Sequence, residues 1–153
     1  MTRWTANAAA WLSAGLLLAL GGPVRAGELQ GTAFVLAGDE MRVEQRRVRL
    51  FGVRAPAPKA VCDIDGMRVQ CGAVALGELI KLADGHHVSC DLEKEDAKAE
   101  PALATCYVDE TDVNEAMVRS GWARIAKEET DRYAVDEADA RDAGRGLWAR
   151  TLE

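Results

Sequence analysis

The spacing of apolar positions changes character along the chain. Near the N-terminus Ala8–Leu20 is a continuous apolar run interrupted only by Ser13 and Gly15. From Gly31 the pattern shortens to the period of a strand. Thr32–Leu36 is β-prone, Ala37-Gly38-Asp39-Glu40 reads as a turn, Met41–Val43 follows, and Arg47–Val53 alternates Val48, Leu50 and Gly52 against Arg47, Arg49 and Phe51. Ala55-Pro56-Ala57-Pro58 ends that strand, because proline cannot donate to a ladder. The period then lengthens: Val74, Ala75, Leu79, Ile80 and Leu82 make an apolar stripe over a helix Gly72–Leu82, stopped by Asp84-Gly85. His87–Leu92 and Leu103–Val108 predict a hairpin with a charged tip at Glu93–Glu100. Asp112 is placed to cap a second helix, Val113–Ser120, ended by Gly121. Thr130 is placed to cap a third, Asp131–Ala143, closed by Gly144 and Gly146. Five strands and three helices in this order predict an α+β fold of one domain.

The leading segment has its own logic. Arg3 precedes the apolar run, Gly21-Gly22-Pro23 breaks it, and Val24-Arg25-Ala26 offers small residues for cleavage. The run is also short of the roughly 20 residues that a membrane span requires. Residues 1–26 therefore read as a cleaved signal peptide, residues 27–153 as the mature domain, and the protein as exported, periplasmic or secreted, with no transmembrane span in the mature chain. The full chain carries 19 Lys+Arg against 25 Asp+Glu. Without Arg3 and Arg25 the mature balance is 17 basic to 25 acidic. A protein that tracks phosphates normally presents a basic surface, so this composition disfavours nucleic acid as partner and leaves a protein or envelope partner open.

Four cysteines in an exported chain point to two disulfides, with three possible pairings. Cys62 and Cys71 flank a short loop before the first helix, and Cys90 and Cys106 lie on the two arms of the hairpin. The expected bridges are therefore Cys62–Cys71 and Cys90–Cys106, each contributing about 2.5–3 kcal/mol in the chain-entropy model. Their spacing does not match the usual zinc pairs. His86 and His87 are adjacent on a predicted strand entry and point to opposite faces, which disfavours a shared metal.

A further reading rests on motifs. Val48-Arg49-Leu50-Phe51-Gly52-Val53-Arg54-Ala55-Pro56-Ala57, Cys71-Gly72-Ala73, Ala104-Thr105-Cys106, the block Asp112–Ala123 and Gly146-Leu147-Trp148 fall in order between Gly31 and Trp148. In this set the chain resembles the staphylococcal nuclease (thermonuclease) family. The resemblance implies an OB-fold barrel of five strands with three helices, and Ca²⁺-dependent cleavage of phosphodiesters. In that chemistry carboxylates hold the cation, a Glu serves as base, and two Arg clamp the phosphate. Position by position, the resemblance carries over only in part. The first clamp is Arg49 and one metal carboxylate is Asp39, both retained. The second metal carboxylate is Arg54, the base is Ala57, and the second clamp is Pro101. At about 4 Å from a divalent ion, exchanging Asp for Arg turns an attraction on the order of 8 kcal/mol into repulsion, at an effective dielectric near 20. Loss of a base costs about 10²–10⁴ in rate.

The resulting expectation is a catalytically degenerate pseudoenzyme that binds a partner, with no cofactor. The alternative is a nuclease with a non-standard site that uses Ca²⁺, and a mainly structural role beside another secreted protein is a third reading. Glu40, Glu44 and Lys59, and Lys94 or Lys98 at the hairpin tip, are the candidates for compensation. Met117, Val118, Trp122, Leu147 and Trp148 read as core, and Asn114 as bonding nearby backbone at its helix start.

Overall fold

The computed structural model describes residues 27–93 and 99–149. The signal peptide reading and the hairpin-tip residues Lys94 and Lys98 lie outside the described residues. Strand β1 (Glu28–Ala37) pairs antiparallel with β2 (Glu40–Val43), and β2 with β3 (Arg46–Leu50). The short β4 (Val53–Arg54) and a small hairpin of β5 (Cys62–Ile64) and β6 (Met67–Val69) follow, then helix α1 (Cys71–Ala83). Strand β7 (His87–Leu92) pairs with β1 on one side and with β8 (Ala102–Val108) on the other. A parallel pairing of β3 with β8, Val48 opposite Ala102, closes five strands into a barrel. The α+β, OB-type architecture expected from the sequence is the one observed.

After β8 come β9 (Thr111–Asp112), α2 (Val113–Arg119), β10 (Arg124–Ile125), α3 (Ala134–Asp142) and a 3₁₀ turn at Gly146–Trp148. Asp112 caps α2 as expected, its carboxylate accepting the Glu115 amide at 2.9 Å. The barrel interior is filled by alternating strand residues, among them Val35, Met41, Val43, Val48, Leu50 and Val88, with Leu79 from α1 and Val113, Met117 and Val118 from α2. Both expected disulfides form. Cys62–Cys71 ties the small hairpin to the first residue of α1, and Cys90–Cys106 joins directly opposed residues of β7 and β8. Among the described residues no helix is long and apolar enough to cross a membrane.

Several element boundaries differ from the sequence reading, each for a local reason. Arg47–Val53 is not one strand. The chain turns at Phe51-Gly52, where Gly52 has φ +74° and Phe51 N–H donates to Ala104 O at 2.8 Å. Val53–Arg54 then leaves the barrel and pairs with β10 instead. The third helix begins at Ala134, not Asp131, because the Thr130 hydroxyl accepts the Arg132 amide and holds a turn there. The β5–β6 hairpin carries a missed signal: Asp65-Gly66, both at positive φ, is a favoured two-residue hairpin turn. On α1 the buried line is Cys71, Ala75, Leu79 and Ala83, whereas Val74 and Ile80 face out. Trp122, Leu147 and Trp148 are half-buried and do not join the core cluster.

Candidate functional site

The site is built around the turn that interrupts the third strand. Its central peptide unit joins Phe51 to Gly52, and both halves are held by side chains from distant elements. Asn114, fully buried at the start of α2, donates to Phe51 O at 2.9 Å and to Ala104 O at 3.0 Å, and accepts the Cys106 amide at 3.0 Å. Asn114 thus bonds backbone far from it in sequence, a correction to the local role expected for it. On the other side, Gly52 N–H donates to Glu129 at 2.8 Å. The loop that carries Glu129 is itself docked on the turn, with Ala126 N–H donating to Gly52 O at 2.9 Å. Gly52 is required here: a Cβ would lie 2.4 Å from Thr130 Cγ2, in a backbone conformation that side chains rarely adopt.

Glu129 does more than satisfy that amide. Arg49 Nη2 donates to its Oε1 at 2.5 Å, and Arg54 Nη2 donates to the same oxygen at 3.1 Å. The Arg49 and Glu129 side chains are only 16% and 11% exposed, so this pair is largely shielded from water. Arg54 also pairs with Glu128 at 3.0 Å, in a much more exposed contact. Burial disfavours a charge on Glu129. The Arg49 hydrogen bond, the Gly52 amide and the two guanidinium charges outweigh it and hold the carboxyl below the ordinary glutamate range. One carboxylate therefore fills the place where two arginines and a backbone amide converge, an arrangement of donors suited to an oxyanion.

Asp39 lies in the turn between β1 and β2, not on a strand, and next to Glu40, whose Cα partner is Arg49. Its Oδ2 accepts the Ala55 amide at 3.1 Å. Burial pushes the Asp39 carboxyl above the ordinary aspartate range, against the pull of that amide and of the Arg49 and Arg54 charges. Asp39, Arg49 and Arg54 are thus within electrostatic reach of one another, while the remaining positions contribute no chemistry. Ala57 is exposed, its carbonyl accepting the Ala60 amide, and Pro101 is half-buried just before β8. Of the residues considered for compensation, Glu40 pairs with Arg47, Glu44 accepts the Thr32 amide and Lys59 is exposed. His86 and His87, weighed as a metal pair, are exposed as well.

A divalent cation does not fit this donor set. Asp39 offers one carboxylate, already bonded to an amide and with a raised pKa, and Arg54 brings a positive charge where a second carboxylate would be needed. Among the described residues no group of three or more His, Cys, Asp or Glu side chains is arranged to hold a metal ion.

A family model described as staphylococcal nuclease homologue matches residues 47–150. The chain belongs to the staphylococcal nuclease family. Within the curated proteins it is 31% identical over 124 residues to the succinoglycan biosynthesis protein ExoI of Rhizobium meliloti (strain 1021), an alignment that covers 77% of this chain and 63% of that protein. The residues matched by the family model take in the barrel's third strand from Arg47, the Phe51-Gly52 turn, Asn114 and Glu129. Sequence reasoning found Arg49 and Asp39 through the family motif but passed over Glu129, which stands 80 residues beyond Arg49 in a loop with no periodicity. The available signal was a doubled acid, Glu128-Glu129, in a loop facing a strand rich in arginine.

Proposed function

We propose that this protein is an exported, catalytically silent member of the staphylococcal nuclease family that acts as a binding module in the cell envelope. The observation that carries this reading is the Glu129 carboxylate on Arg49. The one retained clamp is neutralised by an internal acid, and the cation position at Arg54 feeds the same carboxylate. A phosphodiester would have to displace Glu129 before it met Arg49, and would then find neither base nor second clamp. Export is supported by the two disulfides, which suit an oxidising compartment, and by the signal-like leader. A relative named for succinoglycan biosynthesis is compatible with a family member working on something other than nucleic acid.

One observation favours the alternative, a metal-dependent nuclease of non-standard design: Asp39 and Arg49 keep the family's positions and feel each other's charge. Hydrolysis decides between the two. Single-stranded DNA and RNA incubated with the purified protein and Ca²⁺ should remain intact. Vigorous Ca²⁺-dependent cleavage that is lost in Arg49→Ala would overturn the silent reading in favour of the nuclease.

A further inference from the structure

The small β4–β10 ladder leaves the barrel and places Arg54 directly opposite Arg124. Directly opposed residues of an antiparallel pair project from the same face, with Cβ atoms about 4.5–5.5 Å apart. Two arginine side chains therefore leave the ladder from the same face. Like charges so placed are unfavourable unless something offsets them. Arg54 is offset by Glu128 and Glu129. Arg124 makes no ion pair among the described residues, and its guanidinium lies over the indole of Trp148, 4.7 Å from the ring centre. On a chain with net charge −6 this is a cation without a carboxylate.

Between these two arginines lies a pocket of about 320 Å³, lined by Arg54, Ala55, Pro56, Cys62, Arg124 and Leu147. That volume is at the lower end for small-molecule sites, which run from about 300 to 1,000 Å³. The walls are pinned. Cys62 is tied by its disulfide to the start of α1, and Gly72 packs so closely on the stretch before Cys62 that a Cβ there would lie 1.8 Å from the Ala57 carbonyl oxygen. Leu147 continues the floor towards Trp148, whose Nε1 is buried with no hydrogen-bond partner. The pocket is lined by two arginines and by an apolar set of alanine, proline and leucine.

We propose that this pocket binds a small oxyanion carried on an apolar ring, the carboxylate or phosphate bridging Arg54 and Arg124 while the ring lies against Pro56 and Leu147. Forked guanidinium groups match planar carboxylates and phosphates with paired hydrogen bonds. The ligand replaces Glu128, whose side chain is 64% exposed, as the partner of Arg54 and also draws Arg54 from its 3.1 Å contact with Glu129, which stays on Arg49. The proposal rests on the reading of the domain as a binding module and names where it binds.

The test is titration of the intact protein with benzoate, phenyl phosphate, neutral benzamide and ring-free acetate, followed by amide NMR shifts and calorimetry. Benzoate or phenyl phosphate should bind at least tenfold more tightly than benzamide and acetate, with shifts centred on Arg54, Arg124 and Leu147. The stronger of the two identifies the oxyanion. Arg124→Gln should weaken binding about tenfold and Arg124→Lys by less, while Glu128→Gln should tighten it a few-fold by removing one of the two carboxylates that compete for Arg54. Equal binding of benzamide, indifference to Arg124→Gln in a variant with a native-like spectrum, or shifts centred on Gly52 would overturn the proposal. Its failure leaves catalytic silence intact, since that reading falls only to the hydrolysis assay.

Discussion

Asn114 and Glu129 hold the two halves of one peptide unit, and the contrast between them separates the fold from the site. Asn114 takes the Phe51 carbonyl from inside the barrel, is fully buried, and bonds only backbone. It fixes where β3 ends, where α2 begins and how β8 lies between them. Glu129 takes the Gly52 amide from outside and bonds two side chains whose charges would otherwise face an incoming anion. The inner centre ties elements of the fold together through backbone alone. At the outer centre, on the function proposed above, the protein supplies its own anion. A scaffold can therefore stay intact while the chemistry at its mouth is closed off, because the two depend on opposite faces of the same turn.

Removing the inner centre should have the largest effect. Asn114→Ala leaves the Phe51 carbonyl and the Cys106 amide without the Asn114 bond, while Ala104 O keeps the Phe51 amide, and should lower stability by about 3–4 kcal/mol in urea unfolding. A loss below about 1 kcal/mol would show that the turn is held by other means.

The outer centre should matter less and should depend on pH. Glu129→Gln keeps an acceptor for Gly52 but leaves Arg49 without its counter-charge, at a cost of about 2–3 kcal/mol near neutrality, somewhat below the value for breaking a fully buried pair. The sign follows from the lowered carboxyl. Stabilisation by Glu129 is fully present above the unfolded-state value and is lost as pH falls through the lower folded-state value. The gap between wild type and Glu129→Gln should therefore close in acid; a gap that widened there would break the comparison. The same variant should acquire measurable affinity for inorganic phosphate, read by calorimetry.

Placing the acids that the family resemblance implies at positions 54 and 57 without touching Glu129 should do little. Arg54→Asp with Ala57→Glu should stay within about tenfold of background cleavage, because Arg49 remains occupied and such contributions do not add independently. A large gain from the double change alone would show that Glu129 is no obstacle.

The smallest effect belongs to Asp39. Its folded-state carboxyl titrates above the ordinary value, so its charge costs stability at neutral pH. Asp39→Asn keeps an acceptor for Ala55 and should raise the melting temperature slightly, by less than about 1 kcal/mol in stability. The benefit should vanish in acid, where Asp39 is protonated in both states.

The α+β class, the helices and both disulfides were readable in the sequence, because alternation, capping at Asp112 and cysteine placement are local signals that agree with the global fold; the barrel itself came through the resemblance to the family. It did not reveal the break at Phe51-Gly52. The alternation of Val48, Leu50 and Gly52 continues unbroken through the turn, and what breaks the strand is tertiary: the Asn114 and Glu129 bonds. Arg49 and Asp39 were recoverable from the motif. Glu129 was not, since a loop acid acquires meaning only when the fold brings it to an arginine 80 residues away. The Arg54–Arg124 pocket was hidden for the same reason, as neither β4 nor β10 is long enough to show a period.

Carbon-detected NMR titration of the Glu129 side-chain carboxyl, in the wild type and in Arg49→Gln, tests most directly whether this acid occupies the anion position. The account predicts a wild-type midpoint below the ordinary glutamate value of 4.5, rising in Arg49→Gln as the main counter-charge is removed. A midpoint at or above 4.5 in the wild type, unmoved by Arg49→Gln, would contradict it.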